Sequence, residues 1–134
     1  MRRTQQTTEQ RRAHHRQGVR AETLAVWLLR LKGYMILDRR VKTGVGEIDI
    51  VAKRFRRLAF VEVKDRPSSD EALLAVTRQG QERMMRASQA WLKRWPQLRQ
   101  CEPVFDLVLV VPGRLPRHVR DAFGAADALA DRRR

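Results

Sequence analysis

Apolar residues early in the chain recur at helical spacing: Val19, Ala21, Leu24, Ala25, Trp27, Leu28 and Leu31. The spacing predicts a helix over Val19 to Lys32, with Gly33 as its C-terminal stop. The period then changes. Tyr34-Met35-Ile36-Leu37 predicts a strand, followed by a basic stretch to Thr43-Gly44. Gly46 to Lys53 and Leu58 to Lys64 predict two further strands. Arg66-Pro67-Ser68-Ser69-Asp70 breaks the pattern and offers caps for the next element. A long helical pattern fills Glu71 to Trp95, with Leu74, Met84, Ala87, Ala90, Trp91 and Trp95, and Pro96 ends it. Gly80 weakens that helix by about 1 kcal/mol against Ala, so it can divide in two. Val104 to Val111 has strand length and suits either a central strand or an edge, and Arg117 to Ala130 predicts a short helix. The order α-β-β-β-α-β-α describes an α/β fold, a mixed sheet flanked by helices.

The second and third strands carry the candidate chemistry. Alternation puts Ile48 and Ile50 on one side and Glu47 and Asp49 on the other. On the next strand Val61 and Val63 share the buried face, and Glu62 and Lys64 the opposite one. A two-residue loop at Phe55-Arg56 places Arg54 opposite Arg57. Counting outward, Ile50 faces Val61, Asp49 faces Glu62, Ile48 faces Val63 and Glu47 faces Lys64. A three-residue loop would turn one apolar set outward. The loop lacks Asn-Gly or Asp-Gly, so the faces carry this register and turn chemistry does not.

Opposed residues have Cβ atoms about 4.5–5.5 Å apart, and two carboxylates at that distance repel unless a cation lies between them. Hard oxygen donors suit Mg²⁺, and no Cys or His stands beside them for zinc. Lys64 would project beside the metal, to hold a water or neutralise phosphate charge. The same spacing also fits a solvated strand face on which Glu47 pairs with Lys64 and Asp49 with an arginine.

Composition narrows the partners. The 134 residues make one domain, and 43% are hydrophobic, which argues against disorder except at the ends. Lys and Arg number 29 against 15 Asp and Glu, a net charge of +14 that predicts a polyanionic partner. A solubility surface, or a basic ribosome-associated protein, would carry such charge without chemistry. Residues 1–17 read as a mobile basic N-terminal arm that can become helical toward Gly18, 18–130 as the single domain and 131–134 as a basic C-terminal tail. The arm has no large apolar residue after Met1, so membrane association is not expected. Cys101 stands alone, which excludes a disulfide framework within the chain and fits a reducing, cytoplasmic setting. Met1 to Arg20 lacks the apolar run of a secretory signal, and no stretch is long enough to span a bilayer. His14 and His15 are adjacent without further ligands and are not expected to bind metal. Trp27, Trp91 and Trp95 fall at packing positions of helices, which argues against a single-strand stacking platform.

Asp49, twelve intervening residues and Glu62-Val63-Lys64 together resemble the PD-(D/E)xK nuclease superfamily. More narrowly, the chain resembles the YraN-like bacterial family, placed among Holliday-junction-resolvase-like endonucleases. The matching stretches are Ala21-Glu22, Leu24-Ala25, Leu31-Lys32-Gly33-Tyr34 and Gly46 to Ala52, then Phe60 to Lys64, Ala75-Val76-Thr77, Phe105 to Val108 and Arg120 to Phe123. The resemblance implies a restriction-endonuclease-like αβββαβ core. It implies that Asp49 and Glu62 bind Mg²⁺, for which Mn²⁺ can substitute, and that Lys64 positions the attacking water.

Glu22 matches an acidic residue that the superfamily often supplies from its first helix, which would make it a third metal ligand. Read locally, a carboxylate beside Val19, Ala25, Val26 and Leu29 needs a partner, unless it sits on the helix surface. The chain departs from the pattern twice. Ile48 stands where the motif has proline, and Gly80 stands where relatives usually carry Lys or Gln, with Gln81 the nearest substitute. The implied activity is metal-dependent endonucleolytic hydrolysis of DNA, at branched or flap structures, with Glu22, Asp49, Glu62 and Lys64 catalytic. A nucleic-acid-binding module that keeps the fold but does not cut is the alternative. A homodimer is a further expectation, because resolvase-like relatives often pair.

Overall fold

In the computed structural model, residues 8–124 are described; the 131–134 tail, residues 1–7 of the arm and the expected helix beyond Gly124 lie outside them. Helix α1 spans Thr8–Leu31, beginning well before the expected Val19. Nothing between Thr8 and Leu31 breaks it, since the stretch lacks proline, and Glu9 in the first turn complements the helix dipole. The helix ends as expected. Gly33 sits at φ 91°, its N–H donates to the Arg30 carbonyl, and the Tyr34 N–H donates to Leu29. Those two bonds make a Schellman stop, which needs the left-handed residue that glycine supplies.

Five strands follow: β1 Met35–Thr43, β2 Gly46–Arg54, β3 Arg57–Asp65, β4 Glu102–Val110 and β5 Arg117–Phe123. They form one sheet in the order β1-β2-β3-β4-β5, antiparallel except for the parallel pair β3–β4. Between β3 and β4 lie α2 (Ser69–Leu74), α3 (Arg78–Arg94) and a short 3-10 turn at Pro96–Leu98. The result is a mixed five-stranded α/β sheet with helices on both faces. One face packs Ala25, Val26 and Leu29 of α1 against Ile50, Ala52, Ala59, Val61 and Val108. The other packs Met84, Ala87 and Trp91 of α3 against Ile48, Val51, Leu58, Phe60 and Leu109. Gly46 lets α3 come that close, because a Cβ there would lie 2.8 Å from the Arg83 carbonyl oxygen.

The expected long helix is divided, though not at Gly80. Ser68 caps α2 by accepting from the Glu71 N–H, and Thr77 caps α3 by accepting from the Gly80 N–H at 3.0 Å. Two competent N-caps so close together explain the break at Ala75–Thr77. Trp91 is buried as expected and donates its indole N–H to Asp38 at 3.0 Å. Leu24, Trp27 and Leu31 are exposed instead, because α1 turns its Ala21–Ala25–Leu29 side to the sheet, and Trp95, the residue that closes α3, is exposed beside the Trp91 ring.

The expected helix from Arg117 is corrected to a strand, β5, as far as the described residues reach. A single carboxylate accounts for much of this. Asp106 in the middle of β4 is 0% exposed. Arg57 from β3 grips it bidentately through Nη1 and Nη2, His118 from β5 reaches it through Nε2 at 2.7 Å, and the Asp121 N–H donates to Oδ1 at 2.9 Å. Burial alone would raise this carboxyl, but these hydrogen bonds outweigh it and hold the group at about 2. The β4–β5 register shifts between Phe105 and Leu107, opposite the carboxylate, and Asp121 takes a left-handed φ of 49° there. The interior position of β4 thus follows from partners on both sides.

Removing one member of a buried ion pair leaves the other charge unmet. Asp106→Ala is expected to destabilise the protein by roughly 3–5 kcal/mol in urea unfolding. In the wild type, the Asp106 contribution should be present above pH 4 and fade as pH falls from about 4 towards 2, because the folded group titrates below the unfolded one.

Candidate functional site

The β2–β3 hairpin closes as the apolar faces require. Arg54 pairs with Arg57, and the register continues through Lys53–Leu58, Ala52–Ala59 and Val51–Phe60 to Ile50–Val61. Phe55, first of the two loop residues, sits at φ 54°, the sign that mirror-image hairpin turns need. The ladder then stops one step short of the expected Asp49–Glu62 pair. Asp49 turns its carboxylate into the gap, and the Val63 N–H donates to Oδ2 at 2.8 Å. A side chain has replaced the backbone acceptor, so Ile48–Val63 and Glu47–Lys64 do not pair.

The strands part here, and the alternation of β2 changes with them. Ile48 packs in the α3 cluster and Ile50 in the α1 cluster, where strict alternation had put both on one side. On β1, Arg40 has φ 50°, and the β1–β2 register skips the Arg40–Asp49 step. Local kinks of this sort aim a side chain that a regular strand would point elsewhere.

Each expected site residue can now be located. Asp49 is half-buried at the parting of β2 and β3. Glu62 and Lys64 share a face of β3, as alternation predicts, and Lys64 Nζ lies 2.8 Å from Glu62 Oε1. Glu22 on α1 is 8% exposed and pairs with Arg39 Nε at 3.3 Å and Arg40 Nε at 3.2 Å. Its burial demanded a partner, and two arginines from β1 supply it. Glu22 and Asp49 line a cleft of about 510 Å³ together with Arg40, Lys42, Asp65 and Arg66. Val63 also lines it, so Glu62 and Lys64 project from the other side of β3. Gln81 lies in the first turn of α3 and Gly80 serves the Thr77 cap. The side chains of His14 and His15 lie outside the described ones.

Electrostatics joins what the strand faces separate. Burial pushes the Asp49 carboxyl up to about 6, against the Val63 hydrogen bond that favours its charged form. The charges of Glu62 and Glu22 raise it further, and Lys64 opposes them. Three carboxylates therefore sense one another around Asp49. Among the described residues, however, no three His, Cys, Asp or Glu side chains converge as a ready metal cage. Arginines hold Glu22 and a lysine holds Glu62.

Two sets of residues were not singled out from the sequence. Arg39 and Arg40 were part of an undifferentiated basic stretch, yet they neutralise Glu22. Asp106 was a charged residue inside an apolar strand pattern, a signal that should have marked it as paired.

Comparison with known proteins adds the lineage. The model of "Uncharacterised protein family UPF0102" matches residues 21–110, which contain all four expected site residues. The chain belongs to the UPF0102 family. A UPF0102 protein of Parvibaculum lavamentivorans is 51% identical over 111 residues, covering 83% of this chain and 84% of that one. Another from Nitrobacter winogradskyi is 52% identical over 109 residues, covering 81% and 92%. A third UPF0102 protein, from Paramagnetospirillum magneticum, is 48% identical over 119 residues, covering 84% and 92%.

The raised Asp49 makes a pH prediction for this UPF0102 protein. Its folded form binds a proton more tightly than its unfolded form, so stability should fall as pH rises from about 4 to about 6. Urea unfolding in EDTA at pH 4, 5, 6 and 7 should show this decline, and Asp49→Asn should flatten it.

Proposed function

We propose that this UPF0102 protein is a metal-dependent endonuclease that hydrolyses phosphodiester bonds in DNA, built on a restriction-endonuclease-like core. The observation that supports this most is Asp49: a half-buried carboxylate where β2 and β3 part, with its charged form disfavoured by partial burial and by Glu62 and Glu22. A divalent cation would relieve that burden. Mg²⁺ commonly takes one or two protein carboxylates and completes its shell with water and phosphate oxygens, so a full protein cage is not required. Asp49 would hold the cation, and Glu62, on the other side of β3, is the second carboxylate whose charge reaches Asp49. Glu22, committed to Arg39 and Arg40, fits as a charge that tunes Asp49 more than as a third ligand.

When bound, the metal would supply Lewis-acid polarisation of a phosphate and a more acidic water. The remaining tasks fall to the chain. Lys64 presents an ammonium beside Glu62, where it can orient a water or meet charge developing on phosphate. Arg40, Lys42 and Arg66 in the cleft offer cations to a neighbouring phosphate. The net charge of +14 draws the polyanion in and makes its affinity fall steeply with salt.

One observation favours a second reading, a binding module that keeps the fold without cutting. The Lys64–Glu62 pair and the two arginines on Glu22 satisfy those acids internally. Calorimetry with Mn²⁺ separates the readings. The nuclease should give heat that Asp49→Ala abolishes, and the affinity should weaken below pH 6 as protons compete for Asp49. Linear, flap, four-way-junction and single-stranded DNA should then be incubated with Mn²⁺ or EDTA. Glu62→Ala is expected to slow metal-dependent cutting by roughly a hundredfold or more. Undiminished cutting by that variant, or cutting in EDTA, would remove the assignment.

A further inference from the structure

Positive charge accumulates at the β2–β3 turn, a region that the proposed cutting site does not use. Arg54, Phe55, Arg56 and Arg57, with Arg120 of β5, wall a pocket of about 260 Å³. Arg57 is committed to Asp106, and its Nη1 also donates to the Tyr34 hydroxyl at 3.0 Å. Arg54, Arg56 and Arg120 are exposed, and among the described residues they form no ion pair. Lys32 registers the crowding. Burial and then Arg120 hold its amine below the usual lysine range, with Arg54 and Arg57 acting in the same direction and Asp106 opposing. Guanidinium groups gathered this closely repel one another, and a bound anion lowers that cost. At about 3.3 Å per residue along β3, Arg57 stands roughly 16 Å from Glu62, so this is a separate place.

Phe55 gives the pocket a second character. Its ring is 83% exposed at the tip of the turn, on a backbone of φ 54° that non-glycine residues rarely adopt. Asn, Asp or Gly would suit that position better, and the ring adds nothing to either core cluster. The Arg54 guanidinium lies 5.7 Å from the Phe55 ring centre and 5.9 Å from that of Tyr34. Guanidiniums that form no ion pair among the described residues, beside an open aromatic face for a base, are what single-stranded nucleic acid requires. The tryptophans had argued against such a surface, but the turn offers its own ring.

We propose that the β2–β3 turn is a second contact site for a nucleic-acid strand, with Arg54, Arg56 and Arg120 holding a phosphodiester and Phe55 stacking on an unpaired base. The site binds whether or not the chain cuts, so its test is run in EDTA. Fluorescence anisotropy of the full chain is measured with a labelled thymidine oligonucleotide, its abasic counterpart and a duplex.

Phe55→Ala should weaken binding of the thymidine oligonucleotide about tenfold, leave the abasic one unchanged, and be rescued by Phe55→Trp. Arg56→Gln/Arg120→Gln should weaken both single strands and reduce the slope of log affinity against log salt by about 1.4. Thermal melting establishes that each variant is folded. Wild-type affinity in either variant overturns the proposal, as does an equal loss on the abasic strand or a loss confined to the duplex. Binding that behaves as expected, without any metal-dependent cutting, would count against the nuclease reading alone.

Discussion

A carboxylate taken out of water must find donors, and two aspartates impose that requirement on this sheet. Asp106 is the stricter case. It lies on the α1 side of β4, beyond the reach of solvent, and its donors come from β3 on one side and β5 on the other. The network extends through His118, whose Nδ1 meets the Lys32 amine while Nε2 faces the carboxylate. Through these contacts one buried charge ties the end of α1, β3, β4 and β5 together. Replacing it with a hydrocarbon would require rebuilding its partners too, which is why such a group specifies an arrangement more than it adds stability.

The candidate site depends on that frame. β3 is held in register with β4 along its whole length, from Arg57–Glu102 to Asp65–Val110. It therefore cannot follow β2 when β2 turns away at Asp49. The gap that opens is filled by the Asp49 carboxylate, and β2 keeps its pairing with β1 on the far side, from Val41–Ile48 to Thr43–Gly46. A β-sheet that parts locally without losing its strands needs one neighbour on each side to stay paired. Here β1 and β4 are those neighbours, so the parting costs the core little.

What could be read from the sequence was whatever depends on nearest neighbours. The hairpin register to Ile50–Val61 was legible because apolar sets on two adjacent strands had to coincide. The last step was not, because the Asp49–Val63 bond is a choice between a side chain and a backbone acceptor that alternation cannot express. The division of the middle helices was signalled by Gly80, yet it falls just upstream. Glycine propensity marked a weak point, while Thr77 set its place by capping the Gly80 N–H. β5 was misread because Arg117 to Phe123 alternates poorly, and its identity comes from Asp106, remote in sequence. Glu22 was legible as a buried acid in need of a partner; which of the many arginines would serve was not. Glu22, Glu62 and Lys64 act on Asp49 through their charges, an effect of the assembled sheet that spacing along one strand does not express.

The two aspartates accept from backbone amides of neighbouring strands in the same way and end in opposite electrostatic states. Asp106 adds a bidentate arginine and a histidine to its amide and is held at about 2. Asp49 has the amide of Val63 but, among the described residues, no cation bonded to it, and burial beside two other acids lifts it to about 6. In a chain of net charge +14, a supply of arginine is not the limitation. Arginines bond Asp106 and Glu22 and a lysine bonds Glu62, whereas among the described residues no cation bonds Asp49, where the strands part. A fold that needed only stability would have neutralised Asp49 as it did its neighbour. That shortage of positive charge is what the proposed divalent cation would meet, since a hard cation is the form of charge that oxygen donors and a phosphate can share.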